Sequence, residues 1–110
     1  MAKPLVVHII TRLEPGGSSR NVIDCCAAQV SAYDVVLLSG PHKDSGALLK
    51  LLPPEVNYIE VRFLRRELSA AADLRALLEL KRELAALAPA IVHTHTSKAG
   101  ALGRLAAALA

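Results

Sequence analysis

Aromatic residues are nearly missing: the 110-residue sequence has no tryptophan, one phenylalanine and two tyrosines, 3% in all. Any core must therefore be built from Leu, Val, Ile and Ala. Charge of one sign is also scarce. The formal net charge is +3, with the excess mainly in Arg62, Arg65, Arg66, Lys98 and Arg104. That is too mild and too scattered for a dedicated nucleic-acid binder. No run approaches the ~20 apolar residues that a membrane span requires. Lys3 is followed at once by Pro4 and a short apolar run, which is not the pattern of a signal peptide. The two cysteines, Cys25 and Cys26, are adjacent on a predicted helix. Neighbours there point about 100° apart and cannot form an ordinary disulfide. One reads as a small core residue and the other as a half-exposed thiol. The expected location is cytoplasmic, with peripheral contact at the inner face of the membrane.

What is present is apolar. Hydrophobic residues make up 53% of the chain, too many for disorder and enough for one globular domain. Four strand-like runs alternate with helical patterns. Leu5 to Ile10 is apolar throughout except for His8, as in a strand covered on both faces. It runs into Glu14-Pro15-Gly16-Gly17-Ser18-Ser19 and a helix from Ser19 to Val30, whose inward face is Val22, Ile23, Cys26, Ala27 and Val30. Ser18 or Ser19 is its expected N-cap. Val35 to Leu38 is a second strand, and Ala47 to Leu52 a short helix stopped by Pro53-Pro54. Val56 to Val61 mixes polar and apolar groups on both faces, which suits an edge strand. A long helix follows from Ser69 to Ala88, capped by Ser69, with Leu74, Leu77, Leu78, Leu84 and Leu87 as its apolar stripe. The fourth strand, Ala90 to His95, leads through Thr96-Ser97-Lys98 into a last helix, Ala99 to Ala110.

This alternation predicts an α/β fold: a Rossmann-like parallel sheet in the order 3-2-1-4, with helices on both faces. The order reverses between strands one and four, and ligands in such sheets bind beyond the carboxyl ends of the strands at that reversal. Residues 13–19 and 95–100 should therefore meet at one crevice. Strand four is apolar on both faces with no fifth strand to cover it, so residues 1–110 read as a partial domain. Self-association through strand 90–95 is expected of the uncovered edge.

The Gly16-Gly17-Ser18 turn is neither the G-x-G-x-x-G of dinucleotide folds nor a P-loop. Ser39-Gly40 stands where a dinucleotide fold would place a ribose-binding acid, which argues against NAD. The glycine pair at this strand–helix turn reads either as an anion contact or as a tight turn only, with neither favoured. His93 and His95, two apart on a strand, face the same way and suit one metal ion. Nothing nearby in sequence offers a third ligand, so no metal is expected. On this reading His93 packs inside the sheet, His95 faces the crevice, and His8 makes a core hydrogen bond. His42 carries no signal. Thr96 or Ser97 is expected to cap the last helix, and Lys98 either pairs with an anion or is solvated. Glu67, Glu79 and Glu83 read as helix-surface charges.

With both crevice segments in view, the chain resembles the N-terminal domain of GT-B glycosyltransferases, in particular the retaining family 4. The resemblance rests on Val6-Val7-His8-Ile9-Ile10, on Leu13-Glu14-Pro15-Gly16-Gly17-Ser18-Ser19-Arg20-Asn21, and on residues 89–100 with the helix Leu102-Gly103-Arg104-Leu105-Ala106 behind them. It implies an enzyme that transfers a sugar from a nucleotide sugar to a saccharide or lipid-linked acceptor, with no cofactor beyond that donor substrate. By matching position, Gly16, Gly17 and Ser18 would face the donor phosphates, and His95, Thr96, Ser97 and Lys98 would line the acceptor side. Catalytic residues are not assigned, and the chain alone is expected to be inactive. The alternatives are a noncatalytic Rossmann-like module for a phosphate-bearing ligand or protein partner, and a metal-dependent hydrolase using His93 and His95.

Overall fold

The structure, a computed structural model, describes residues 3–41, 45–65, 67 and 69–110. His42, Lys43, Asp44, Arg66 and Leu68, and the side chain of Ser97, lie outside the described part. The elements are β1 (Leu5–Arg12), α1 (Gly17–Gln29), β2 (Asp34–Gly40), α2 (Ser45–Leu49), β3 (Asn57–Glu60), α3 (Ala70–Leu87), β4 (Ile91–His95) and α4 (Ser97–Leu109). The four strands form one parallel sheet in the order β3-β2-β1-β4. This is the expected Rossmann-like arrangement.

Alternation along β1 divides the core. Val6, Ile10 and Leu13 face α1 and α2 and pack with Val22, Cys26, Val35 and Leu37. Val7 and Ile9 face α3 and α4 and pack with Val36, Leu38, Leu80, Leu84, Ala99 and Ala106. Helix α4 lies so close to the sheet that a Cβ on Gly103 would stand 2.8 Å from Thr94 Cγ2 and 3.1 Å from Ile9 Cδ1. Cys26 is buried and Cys25 half-buried, both free thiols. Burial pushes the Cys26 thiol up to about 12, with the neighbouring Cys25 adding to the shift.

Three expectations need correction. The apolar stripe of α3 is Ala76, Leu80 and Leu84, with Leu77 and Leu87 packed against it as expected, whereas Leu74 and Leu78 are 57% and 55% exposed. At 100° per residue they sit about 120° and 160° round the helix from Leu80. Leucine on every side of this helix concealed which face is inward. Ala27 of α1 is exposed for the same reason of phase. His93 does not pack inside the sheet; it is exposed, because nothing among the described residues covers the α1 side of β4, where Ile91 is also 46% exposed.

Polar clamps fix the loop between β3 and α3. Both oxygens of Glu79 accept backbone N–H groups, from Arg62 (3.0 Å) and Phe63 (2.8 Å). Glu79 is thus a loop anchor and not a solvated helix charge. Lys98, in the first turn of α4, donates to the carbonyls of Arg65 and Glu67 and pairs with Asp73 at 2.7 Å. A cation at a helix N-terminus opposes the helix dipole; these three acceptors supply the compensating partners. Ser69 caps α3 by accepting from Ala72 N–H, as expected (3.3 Å). Ala88 ends the helix in the left-handed region, and Pro89 follows.

The β1–β2 register shifts between Ile10 and Arg12, leaving Thr11 as an extra residue opposite Gly40. A Cβ on Gly40 would stand 1.7 Å from Leu64 O and 2.4 Å from Thr11 O. Gly40→Ala must displace backbone and should cost about 3 kcal/mol, the upper end of overpacking penalties. Gly46→Ala meets nothing within 4 Å on helix α2 and should gain up to ~1 kcal/mol. Chemical denaturation of both variants checks the contrast; equal stabilities would contradict it. Removing the Lys98 ammonium with Lys98→Met should cost about 2 kcal/mol through lost charge-assisted hydrogen bonds, read in the same way.

Candidate functional site

The pairing of β1 with β4 runs Val6↔Ile91 through Ile10↔His95 without a slip. It carries the two chain segments at the carboxyl ends of these strands to one place, at the point where the strand order reverses. Thr11 Oγ1 and Thr96 Oγ1 are 2.9 Å apart and tie the two segments together. Thr96 is held at φ 72°, ψ 161°, a region that is close to glycine-only. Such a conformation costs of order 1–3 kcal/mol and persists where surrounding contacts hold it. Here the Thr11 bond is one such contact. Thr96 occupies the cap position of α4 but makes no side-chain capping bond; its hydroxyl is turned to Thr11 instead.

On the β1 side, Gly16 takes the cap position of α1 with φ 147°, ψ 174°, so neither Ser18 nor Ser19 caps the helix. Ser19 is buried and its Oγ accepts from Glu14 N–H (3.0 Å), closing the loop on itself. Ser45 Oγ holds Leu13 by donating to its carbonyl (3.0 Å). The first intrahelical bond is Arg20 N–H to Gly16 O (3.2 Å), so the amides of Gly17, Ser18 and Ser19 precede it and have no partner within the helix. Gly16, Gly17 and Ser18 are exposed, and a Cβ on either glycine would meet nothing within 4 Å. The φ of Gly16 demands glycine; at Gly17 no neighbouring atom does. Arg12 flanks the loop, paired with Glu14 at 3.1 Å, and its Nε is buried without a hydrogen-bond partner among the described residues. Arg12 was not singled out from the sequence, and its position at a bulged strand end was not visible there.

Of the residues expected on the other wall, His95 ends β4 with its ring against His8, Thr96 follows it, Ser97 opens α4, and Lys98 turns away into its clamp. Arg62 and Arg65 are exposed after β3, at the same end of the sheet.

The histidines come together across the strand pair. His8 lies opposite His93 in register, and their ring centroids are 5.2 Å apart. His8 and His95 stack at 5.3 Å, and His93 and His95 at 4.2 Å. His8 Nε2–H donates to Gln29 Oε1 (2.6 Å), which leaves His8 Nδ1 as the acceptor for His95 Nε2–H at 3.0 Å. The core hydrogen bond expected of His8 is therefore made, with a partner on α1. The third imidazole missing from the neighbourhood of His93 in sequence is supplied by β1. The expected strand order already placed these strands side by side, which was the signal available for it.

Burial lowers the His95 pKa from 6.5 to about 4, helped by the charges that His93 and His8 would carry. Burial lowers His8 as well, against the opposing effect of its bond to Gln29. The unfolded chain protonates His95 near pH 6.5, but the folded chain resists that proton until about pH 4, and the lowered His8 acts in the same direction. Stability is thus full above pH 6.5 and falls as the pH drops through that window. Denaturant midpoints in metal-free buffer at pH 7, 5.5 and 4.5 should decrease in that order, and His95→Gln should shallow the slope. An unchanged slope in the variant would contradict this assignment.

Comparison with known proteins identifies the family. The profile of Glycosyltransferase Family 4 matches residues 15–110. A UDP-Gal:alpha-D-GlcNAc-diphosphoundecaprenol alpha-1,3-galactosyltransferase of Escherichia coli is 43% identical over 78 residues, covering 71% of this chain and 19% of that protein. The chain thus spans about a fifth of the length of that curated relative (19%). No solved structure matches it significantly. With the family profile covering the crevice loops, all the helices and β2 to β4, the chain belongs to glycosyltransferase family 4.

Proposed function

We propose that this chain forms the acceptor-side, N-terminal part of a retaining GT-B glycosyltransferase, which moves a sugar from a nucleotide sugar to a lipid-linked or saccharide acceptor. The observation that carries the reading is the Gly16-Gly17-Ser18 loop. It is exposed, it presents amides without helical partners at the positive end of α1, and it stands at the sheet reversal. Helix N-termini of this kind favour phosphate. In this reading the donor's diphosphate lies against Gly17 and Ser18, near the Arg12 guanidinium, and Gly17 lacks a side chain so that the phosphate can approach the backbone.

The acceptor lies along the opposite wall, against His95, Thr96 and Ser97. Lys98 serves by position, holding the β3–α3 loop rather than the substrate. Lipid linkage is favoured by the relative, whose printed name specifies a diphosphoundecaprenol acceptor. None of the helices is long and apolar enough to cross a membrane among the described residues. In this reading contact with a lipid-borne acceptor is peripheral, with the exposed Arg62 and Arg65 meeting anionic head groups or the acceptor diphosphate.

Titration of UDP, GDP and their sugars into the protein as encoded, followed through backbone amide resonances, tests the loop assignment. The amides of Gly17 and Ser18 should shift with the donor that binds. Gly17→Val should weaken donor binding at least ~10-fold, the equivalent of one lost hydrogen bond at 1.4 kcal/mol, while leaving the thermal midpoint nearly unchanged. Donor binding with both amides silent would remove the phosphate role.

A further inference from the structure

The family reading uses His95 as part of a wall and gives no task to His8, His93 or Gln29. Their arrangement has a chemistry of its own. One ring nitrogen from each of His8, His93 and His95 can be chosen so that all three lie within 4.8 Å of one another. Two of them, His8 Nδ1 and His95 Nε2, are already 3.0 Å apart, close to the ~3.4 Å that separates two nitrogens on one tetrahedral zinc ion at 2.0–2.1 Å each. His93 is exposed and its ring stacks on His95 at 4.2 Å, beside the other two, where it can complete a set of three. The uncovered α1 side of β4, where Ile91 is also exposed, supplies an entry path. Behind the ligands, His8 donates its other N–H to Gln29 Oε1 at 2.6 Å. A carbonyl acceptor of this kind fixes the tautomer of a metal-bound imidazole and leaves its second nitrogen directed at the ion.

We propose that His8, His93 and His95 form a binding site for a borderline divalent transition-metal ion, Zn²⁺ by geometry, with water completing the coordination. Three imidazoles and no carboxylate suit Zn²⁺ and its neighbours and do not suit Mg²⁺ or Ca²⁺, which take oxygen ligands. No net proton need leave: on binding, His95 carries its N–H on Nδ1 instead of Nε2. The ion would join β1 to β4 through their side chains, at the strand pair that also positions the crevice loops.

The test is calorimetric titration of Zn²⁺ into the chelator-stripped chain, with Co²⁺ absorption as a second readout. One ion per chain should bind, and Co²⁺ should give a visible ligand-field band. His93→Ala, a change at an exposed position, should abolish or greatly weaken binding. Gln29→Leu should weaken it by the ~10- to 100-fold that loss of an outer-shell partner costs. In the unaltered chain, the imidazole nitrogen resonances of His8 and His95 should both move on adding one equivalent of Zn²⁺. Absence of one-to-one binding, binding that survives His93→Ala, or silent His8 and His95 resonances would each overturn the site and leave an adventitious metal only.

Discussion

The structure depends on one constraint, the in-register parallel pairing of β1 with β4. Parallel neighbours cannot be joined by a tight turn and require a crossover, and the crossover into β4 is α3. Because β2 lies on the other side of β1, this crossover reverses the strand order and opens the crevice at the carboxyl ends. The same pairing carries Thr96 to Thr11 and sets two histidines of β4 beside the single histidine of β1. A slip of one residue would send His93 and His95 to the α3 side and Val92 and Thr94 to the α1 side. The core would lose Val92, and the histidine cluster would not form.

A second layer of order comes from side chains that reach across elements to backbone groups. Glu79 holds the start of the β3–α3 loop and Lys98 holds its later part. Ser45 and Ser19 hold the segment before α1. Each of these side chains satisfies backbone groups that the sheet and helices leave free. They convert connecting segments into fixed walls, which is what a site assembled from loops requires. The strained backbone of Thr96 stands at the meeting point of the two walls.

Sheet order and element sequence were legible from the sequence because they follow from strand–helix alternation and from the rule that parallel crossovers are right-handed. The cap of α3 at Ser69 was legible for a local reason, since its partner lies three residues away. What escaped was set by distant contacts or by phase. Leu77, Leu84 and Leu87 of α3 face inward as their spacing suggests, but leucines surround the helix and Leu74 and Leu78 point outward. The roles of Glu79 and Lys98 depend on partners 16 and 17 residues away for Glu79 and 31 and 33 for Lys98. Ser19 looked like a cap by residue type, yet the φ of Gly16 and the bond to Glu14 assign it otherwise. The histidine cluster required the register between strands more than 80 residues apart (His8 to His95 spans 87). Pattern along the chain supplies the strands but not their exact alignment.

The pairing of β1 with β4 is therefore the point at which to test the whole account. Inter-strand nuclear Overhauser effects in the uniformly labelled chain report it directly. The account predicts cross-strand contacts joining His8 to His93 and Ile10 to His95, with a contact between the side chains of Thr11 and Thr96. Contacts that instead join His8 to Ile91, or none between these strands, would contradict it.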